Sequence, residues 1–164
     1  ENPMDGMRIQ KNVEKFNPKA IVIDTDMELT PSREMNIYGK RAIVIEDGPT
    51  VTHGGMSFGA GFEYAARNGA DVVDPRPFAV GSIKEAYSKF QHMGSIVPAM
   101  GYYGKQVDDL AETINKSKAE VVISGTPVDI TRILKVKIPV LHIKFTMKER
   151  EGSLEKALDK LLKK

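Results

Sequence analysis

The chain has 164 residues, 41% of them hydrophobic, which is typical of an ordinary globular domain with a real core. Its net charge of only +2 excludes the strong positive field of a nucleic-acid-binding surface. It contains no cysteine, which excludes disulfides and thiolate sites, and no apolar run of about 18 residues that could span a membrane. We therefore expect a cytoplasmic protein without nucleic-acid or membrane partners.

The first predicted element is a helix, with Asn2 as its N-cap and Pro3 in its first turn. Residues 20–24 then form an apolar run typical of a short buried strand. Residues 25–40 are polar and irregular, and they mark the best candidate for a domain boundary. The apolar residues of the first helix recur at helical spacing: Ile9, Val13 and Phe16.

Beyond residue 40, strands and helices alternate along the chain. The strands are continuous apolar runs, as expected for strands buried on both faces. This order predicts an α/β fold with a mostly parallel sheet covered by helices on both faces, a Rossmann-like three-layer architecture. The predicted strands are residues 42–46, 71–73, 95–97, 120–124 and 139–143, and the helices are residues 61–67, 82–90, 105–115, 129–135 and 153 onwards.

The loop after the first of these strands, residues 48–61, contains five glycines, two threonines and a histidine. Glycines let the backbone turn N–H groups toward an anion, and the helix that follows adds its dipole. This favours a phosphate site over the alternative of a mobile surface loop without a ligand. His53 serves either as a proton carrier or as a hydrogen-bonded structural residue. The candidate binding residues here are Thr50, Thr52, His53, Gly54, Gly55, Gly59 and Gly61.

Arg76 follows the next strand and lies between two prolines, which hold its side chain on a stiff segment. Its guanidinium group suits a phosphate, and the equal alternative is an ion pair with Asp74. Ser82 and Lys84 open the next helix and are candidates to add a backbone N–H and an ammonium group. The alternative for Ser82 is a helix cap, with Glu85 completing a capping box.

Two later loops complete the candidate site. Residues 98–102 follow one strand, and residues 124–129 follow another with a Ser-Gly-Thr-Pro turn that supplies hydroxyl and backbone donors. Gly125 and Thr126 are its candidate binding residues, whereas Asp129 is as readily a helix cap as a ligand. No two histidines have the spacing of metal ligands, so we predict no metal site.

The chain contains no pattern for binding a nucleoside triphosphate. Gly104 and Lys105 resemble the end of a P-loop, but the upstream glycine and the Ser or Thr after the lysine are missing. We therefore expect that this chain alone binds no nucleotide cofactor and is inactive by itself.

Residues 44–56, VIEDGPTVTHGGM, resemble the C-terminal part of the cyclic 2,3-diphosphoglycerate synthetase family, whose members are also labelled predicted GTPases. Residues 74–85, 97–102 and 124–129 resemble three further blocks of that family in the same order. The resemblance implies a larger enzyme that uses ATP or GTP with Mg²⁺, held by an upstream P-loop domain, and an archaeal or thermophilic source. Members with an assigned activity close 2,3-diphosphoglycerate into a cyclic phosphoanhydride.

The same resemblance implies a domain organisation and a function. Residues 1–27 are similar to the end of the P-loop domain, residues 28–147 to the C-terminal α/β domain, and residues 148–164 form a terminal amphipathic helix. The implied function is to bind a phosphorylated small-molecule substrate. The alternative is a regulatory or dimerisation module of a GTPase without substrate contact, and a homo-oligomer remains open.

Overall fold

The computed structural model describes residues 3–101 and 103–162. The expectations placed on Asn2 and Tyr102 lie outside the described residues. Two short 3₁₀ turns, Arg76–Phe78 and Ile130–Arg132, lie among the helices and strands. The helices and strands are α1 (Pro3–Phe16), β1 (Asp24–Pro31), β2 (Arg41–Asp47), α2 (Gly48–Thr52), α3 (Ala60–Arg67), β3 (Asp71–Val72), α4 (Gly81–Lys89), β4 (Val97–Ala99), α5 (Lys105–Lys116), β5 (Val121–Gly125), β6 (Val140–Glu151) and α6 (Leu154–Leu162).

The six strands form one sheet in the order β1-β6-β5-β2-β3, and β4 also pairs with β2. β2 is central: it pairs in parallel with β5 along one edge and with β3 and β4 along the other. β5 and β6 are parallel as well. The mostly parallel sheet predicted from the continuous apolar runs is therefore confirmed.

The core lies on both faces of the sheet. Successive side chains of a strand point to opposite faces, so neighbouring residues of β2 enter different hydrophobic clusters. Val44 belongs to one cluster with Ala65 of α3, and Ile45 belongs to the other with Leu110 and Ile114 of α5. Helices thus cover both faces, which confirms the three-layer α/β architecture.

The chain divides into two compact units. Residues 29–145 form one, and both hydrophobic clusters lie within it. Residues 1–28 and 146–164 form the other, in which no residue is fully buried among those whose burial is described. The short strand expected at residues 20–24 was misplaced, since β1 begins at Asp24 and ends at Pro31, within the first half of the polar stretch expected to be irregular.

Candidate functional site

The carboxyl ends of three strands meet at one edge of the sheet. Glu46 of β2 lies in register with Gly125 at the end of β5, and Asp47 lies in register with Ala99 at the end of β4. In an open parallel sheet, ligands bind in the crevice outside such strand ends. We call the edge formed by these four residues the rim. It leads into the segments that follow the three strands, residues 48–59, 100–104 and 126–129.

The first part of the glycine-rich segment is a helix, although the sequence predicted a loop. α2 begins at Gly48 because the Asp47 carboxylate accepts hydrogen bonds from the Thr50 N–H at 3.3 Å and from the Thr50 hydroxyl at 2.8 Å. Pro49 suits the first turn, where its missing N–H needs no partner. The Thr52 hydroxyl donates to the Gly48 carbonyl at 2.7 Å. Both candidate threonines therefore use their hydroxyl groups to support α2.

Residues 53–58 are the exposed part of the same segment. The His53 ring packs edge-on against Phe90, with 5.6 Å between the ring centres. The Gly54 N–H donates to a carbonyl of α2 at 2.9 Å. Gly55 has a φ of +69°, in the left-handed region that glycine adopts without steric cost. This stretch also carries two large apolar side chains that are partly exposed, Met56 at 49% and Phe58 at 43%.

Glu46 is the buried acid of the rim, with only 1% of its surface exposed. Its Oε1 accepts hydrogen bonds from the Gly59 N–H at 3.1 Å and from the Phe62 N–H at 2.7 Å. The Gly61 N–H also faces this carboxyl group. The N–H groups at the start of α3, which the sequence offers to a ligand's anion, are thus turned toward a carboxyl group of the chain itself.

Three of the candidate glycines make room for this arrangement. A Cβ atom added to Gly59 would lie 2.6 Å from Glu46 Oε2, and one added to Gly125 would lie 2.5 Å from the same atom. A Cβ atom on Gly61 would lie 2.9 Å from the Gly125 backbone nitrogen. The end of β5, the start of α3 and the Glu46 side chain therefore approach too closely for a larger residue at any of the three positions.

Burial raises the pKa of the Glu46 carboxyl group to about 7, although the backbone N–H groups of α3 act to lower it. The neighbouring Asp47 carboxylate raises the pKa further. Glu46 therefore exchanges its proton near neutral pH, whereas the ordinary pKa of a glutamate is 4.5. Carboxyl groups with such pKa values concentrate at functional sites, and buried structural networks also produce them.

The turn after β5 is held by side-chain hydrogen bonds. The buried Thr126 hydroxyl donates to the Val128 carbonyl at 2.7 Å and lies 2.8 Å from the Ser124 hydroxyl. Asp129 accepts a hydrogen bond from the Thr131 N–H at 3.0 Å and so caps the 3₁₀ turn. Hydrogen bonding from Thr131 holds the pKa of Asp129 below its usual value. Of the two roles expected for Asp129, helix cap or ligand, its contacts match the helix cap.

Arg76 and Lys84 lie on the segment between β3 and the first turns of α4. β3 pairs with the first two residues of β2, at the opposite end of that strand from the rim. The exposed Arg76 side chain binds the Asp74 carboxylate through Nε and Nη2, each at 2.8 Å. This ion pair raises the pKa of Arg76 further and holds the pKa of Asp74 below its usual range. The contacts described for Arg76 therefore match the ion-pair alternative and do not join Arg76 to the rim.

The capping box expected at Ser82 and Glu85 was wrong. α4 has Val80 as its N-cap, and Asp109 of α5 accepts hydrogen bonds from the Ser82 N–H at 2.8 Å and from the Ser82 hydroxyl at 2.9 Å. These bonds hold the pKa of Asp109 below its usual range, the backbone N–H having the largest effect. Gly81, with a φ of +46°, lies directly against the Asp109 carboxylate. The cap is supplied from 27 positions away, which a local sequence pattern cannot reveal.

Sequence reasoning did not single out Glu46 or Asp109, and it considered Lys105 only as part of an incomplete P-loop pattern. Lys105 is the first residue of α5, and its ammonium group, on a side chain that is 81% exposed, lies 3.3 Å from the Asp109 carboxylate. The N-cap of α5 is Gly104, which has no side chain to accept the first N–H groups of the helix. One signal for Glu46 was available, namely a charged residue that ends an apolar strand just before a glycine-rich segment.

Within residues 3–101 and 103–162, no three histidine, aspartate or glutamate side chains are grouped as a metal site requires. In the same two stretches, no helix combines the length and the apolar character needed to cross a bilayer.

Comparison with known proteins places the chain beside one curated relative. Over 149 residues, or 90% of the chain, it is 46% identical to arginine synthetase ArcE of Thermococcus kodakarensis, a cyclic 2,3-diphosphoglycerate synthetase-like protein. The chain spans about a third of the length of that relative, since the match covers 33% of it. No family model matches the chain, and no solved structure matches it significantly. The match confirms the resemblance that the four sequence blocks indicate.

Proposed function

Because this chain belongs to the cyclic 2,3-diphosphoglycerate synthetase-like family, we propose that it forms part of a nucleotide-dependent synthetase. Its role is to bind a phosphorylated small-molecule substrate at the rim. In this proposal, ATP or GTP with Mg²⁺ is bound by a P-loop domain of the same enzyme, as the family resemblance implies. The relative's name describes a synthetase that forms arginine, which supports the synthetase class for this chain.

The register of β2 with β4 and β5 is the observation that carries this proposal. It sets Asp47 beside Ala99 and Glu46 beside Gly125, so that the segments after three strands share one edge. The exposed residues 53–58 follow α2, the helix that begins at this edge. The N–H groups of His53, Gly54 and Met56 donate to carbonyls of α2. In this proposal, phosphate oxygens accept hydrogen bonds from the other backbone N–H groups of the segment, those of Gly55, Ser57 and Phe58. Transfer of a phosphoryl group also requires cations to neutralise the charge that gathers between the reactants.

Lys105 supplies a suitable cation in this proposal. It opens α5, a helix of 12 residues that begins shortly after β4 reaches the rim. Asp47, Glu46 and Asp109 already accept the first N–H groups of α2, α3 and α4. Gly104 provides no such acceptor for α5, so the positive end of that helix and the Lys105 ammonium group both favour an anion. We propose that the phosphate group of the substrate contacts Lys105 and residues 53–58.

Calorimetry of the 164-residue chain with 2,3-diphosphoglycerate, ATP and GTP tests the proposal. We expect the diphosphate to bind and Lys105→Ala to weaken its binding about tenfold, the usual loss for one charged hydrogen bond. Lys116→Ala is the matched control, because Lys116 lies at the opposite end of α5. Arg76→Ala determines whether the site extends to that residue. Absence of any diphosphate binding, or equal loss in the two lysine variants, would contradict the proposed site.

The unit formed by residues 1–28 and 146–164 has surface features that favour the alternative, a dimerisation module. Its helices expose large apolar side chains: Phe16 of α1 is 76% exposed and Leu161 of α6 is 65% exposed. An open apolar groove of about 410 Å³ lies along α1, lined by Ile9, Val13 and Phe16 among others. Exposed apolar surfaces of this kind mark contacts with other protein surfaces.

We propose that the P-loop domain covers this surface, as expected if residues 1–27 belong to that domain. Light scattering after size-exclusion chromatography distinguishes this from a second copy of the chain. A monomer that binds the diphosphate agrees with the substrate proposal. A concentration-dependent dimer that binds no ligand, and that Phe16→Glu converts to a monomer, would instead support the dimerisation module.

A further inference from the structure

The two consecutive acids at the end of β2 hold the two ends of the glycine-rich segment. Asp47 accepts the N–H and hydroxyl of Thr50, which sets the start of α2. Glu46 accepts the N–H groups of Gly59 and Phe62, which sets the start of α3. Successive side chains of a strand point to opposite sides, so one carboxyl group is available for each end. The exposed residues 53–58 lie between these two attachments.

The Glu46 carboxyl group that holds the start of α3 is enclosed by the surrounding protein. The residue is 1% exposed, and the backbones of Gly61 and Gly125 approach its carboxyl group where no Cβ atom intervenes. A substrate at the rim therefore does not reach this carboxyl group in the described conformation. Any effect of Glu46 on binding must pass through the backbone groups that it holds.

We infer that Glu46 is a positioning residue for the binding segment, holding residues 59–62 so that residues 53–58 keep the shape that receives the substrate. This inference rests on the proposed function of the segment. Its first test requires no substrate, so that failure of the inference and failure of the proposed function can be told apart.

Positioning by a buried carboxyl group depends on its protonation. Burial raises the pKa of Glu46 to about 7, and the unfolded chain has the ordinary value of 4.5. Between these two values, opening of the segment releases a proton, so opening becomes easier as the pH rises, by up to roughly tenfold per pH unit. Above about pH 7 both forms are ionised and the dependence levels off.

Few other charges face Glu46 from the elements packed around it. Asp47 is its neighbour on β2, and α3 contributes Glu63 and Arg67, which pair with each other at 2.7 Å. α2, β4 and β5 have no ionisable side chain, and the one acid of β3, Asp71, is in register with the opposite end of β2. Two histidines also belong to these surroundings: His53 lies within the segment, and His92 Nε2 lies 2.7 Å from the Val51 carbonyl of α2. The comparison with the Glu46→Gln protein therefore assigns the pH dependence to Glu46.

Amide hydrogen exchange of the 164-residue chain, corrected for the intrinsic exchange rate, provides the first test. In the unmodified protein we expect the protection of residues 59–62 to fall roughly a hundredfold between pH 5 and 7.5 and then to level off. Glu46→Gln, which keeps an oxygen acceptor but cannot ionise, should remove this dependence. Glu63→Gln is the matched control on the same helix and should retain it.

The second test is binding of 2,3-diphosphoglycerate across the same pH range. We expect the dissociation constant of the unmodified protein to rise with pH beyond the change that the Glu46→Gln protein shows. Protection of residues 59–62 that is independent of pH and identical in the unmodified and Glu46→Gln proteins would overturn the inference without any substrate. A pH-dependent protection with no diphosphate binding would leave the positioning of the segment intact and contradict the proposed substrate instead.

Discussion

Replacing Gly125 with alanine tests the close contact between β5 and α3 directly. The added Cβ atom would lie 2.5 Å from Glu46 Oε2 and 3.0 Å from the Gly61 Cα atom, with the Gly61 backbone nitrogen closer still. To reach the 3.4 Å of an ordinary contact, the Glu46 oxygen would have to move by about 0.9 Å and the Gly61 Cα atom by about 0.4 Å. Both belong to a buried, hydrogen-bonded arrangement in which neither has free space.

The expected cost follows from these displacements. Overpacking a buried site costs about 1–3 kcal/mol, and a weakened hydrogen bond to a buried carboxyl group adds about 1–3 kcal/mol. We therefore expect Gly125→Ala to lower the free energy of unfolding by about 3 kcal/mol, measured from urea unfolding followed by circular dichroism. The midpoint should fall without a change in slope, because the surface exposed on unfolding stays the same.

Gly6→Ala is the matched control for this substitution. Gly6 lies in α1, and an added Cβ atom there would meet nothing within 4 Å. Alanine in a helix interior is favoured over glycine by about 1 kcal/mol, so this change should be neutral or stabilising. A Gly125→Ala protein within about 0.5 kcal/mol of the unmodified one would refute the described packing of α3 on β5.

Three further predictions concern buried polar groups. The raised pKa of Glu46 stabilises the protein fully below pH 4.5, and this contribution is lost as the pH rises to about 7. Unfolding measured across this pH range should show a loss of about 3 kcal/mol in the free energy of unfolding, and Glu46→Gln should remove this loss. Asp109→Asn weakens the cap of α4 and should cost about 1 kcal/mol in thermal or urea unfolding, with the difference shrinking in acid as the unmodified carboxylate becomes protonated. Thr126→Val keeps the side-chain shape but leaves the Ser124 hydroxyl and the Val128 carbonyl without their partner; a loss of about 2 kcal/mol is expected, and no loss would show that the turn is held by other contacts.

The parallel sheet was predictable from the sequence because its inner strands are continuous apolar runs. β2 and β5 are buried on both faces, so hydrophobicity alone marks them, and the runs predicted at residues 42–46 and 120–124 agree with these strands. β1 was not found because it is a polar edge strand, with a neighbour on one side only. Such a strand is stabilised by hydrogen bonds to its neighbour, which leave no apolar pattern in its own residues.

Residue patterns at turns and helix starts predicted the local structure less well than the apolar runs predicted the strands. The Gly-Pro-Thr start of the glycine-rich segment is typical of a loop, and the structure forms α2 there because Asp47 caps the first turn. The Ser82 and Glu85 spacing is typical of a capping box, and a carboxylate from another helix occupies that role. In both cases a carboxyl group outside the expected pattern determined the result.

The sequence by itself determined the α/β class, the parallel sheet and the family, because these follow from apolar periodicity and from long blocks of residues in a set order. Only the tertiary structure determined which group three of the glycines lie against, namely the Glu46 carboxyl group. Gly125 is far from Gly59 and Gly61 along the chain, yet the three glycines close around the Glu46 carboxyl group through the parallel pairing of β2 with β5. Burial at that meeting point raises the pKa of Glu46 to about 7, and burial is a property of the folded neighbourhood rather than of the residue.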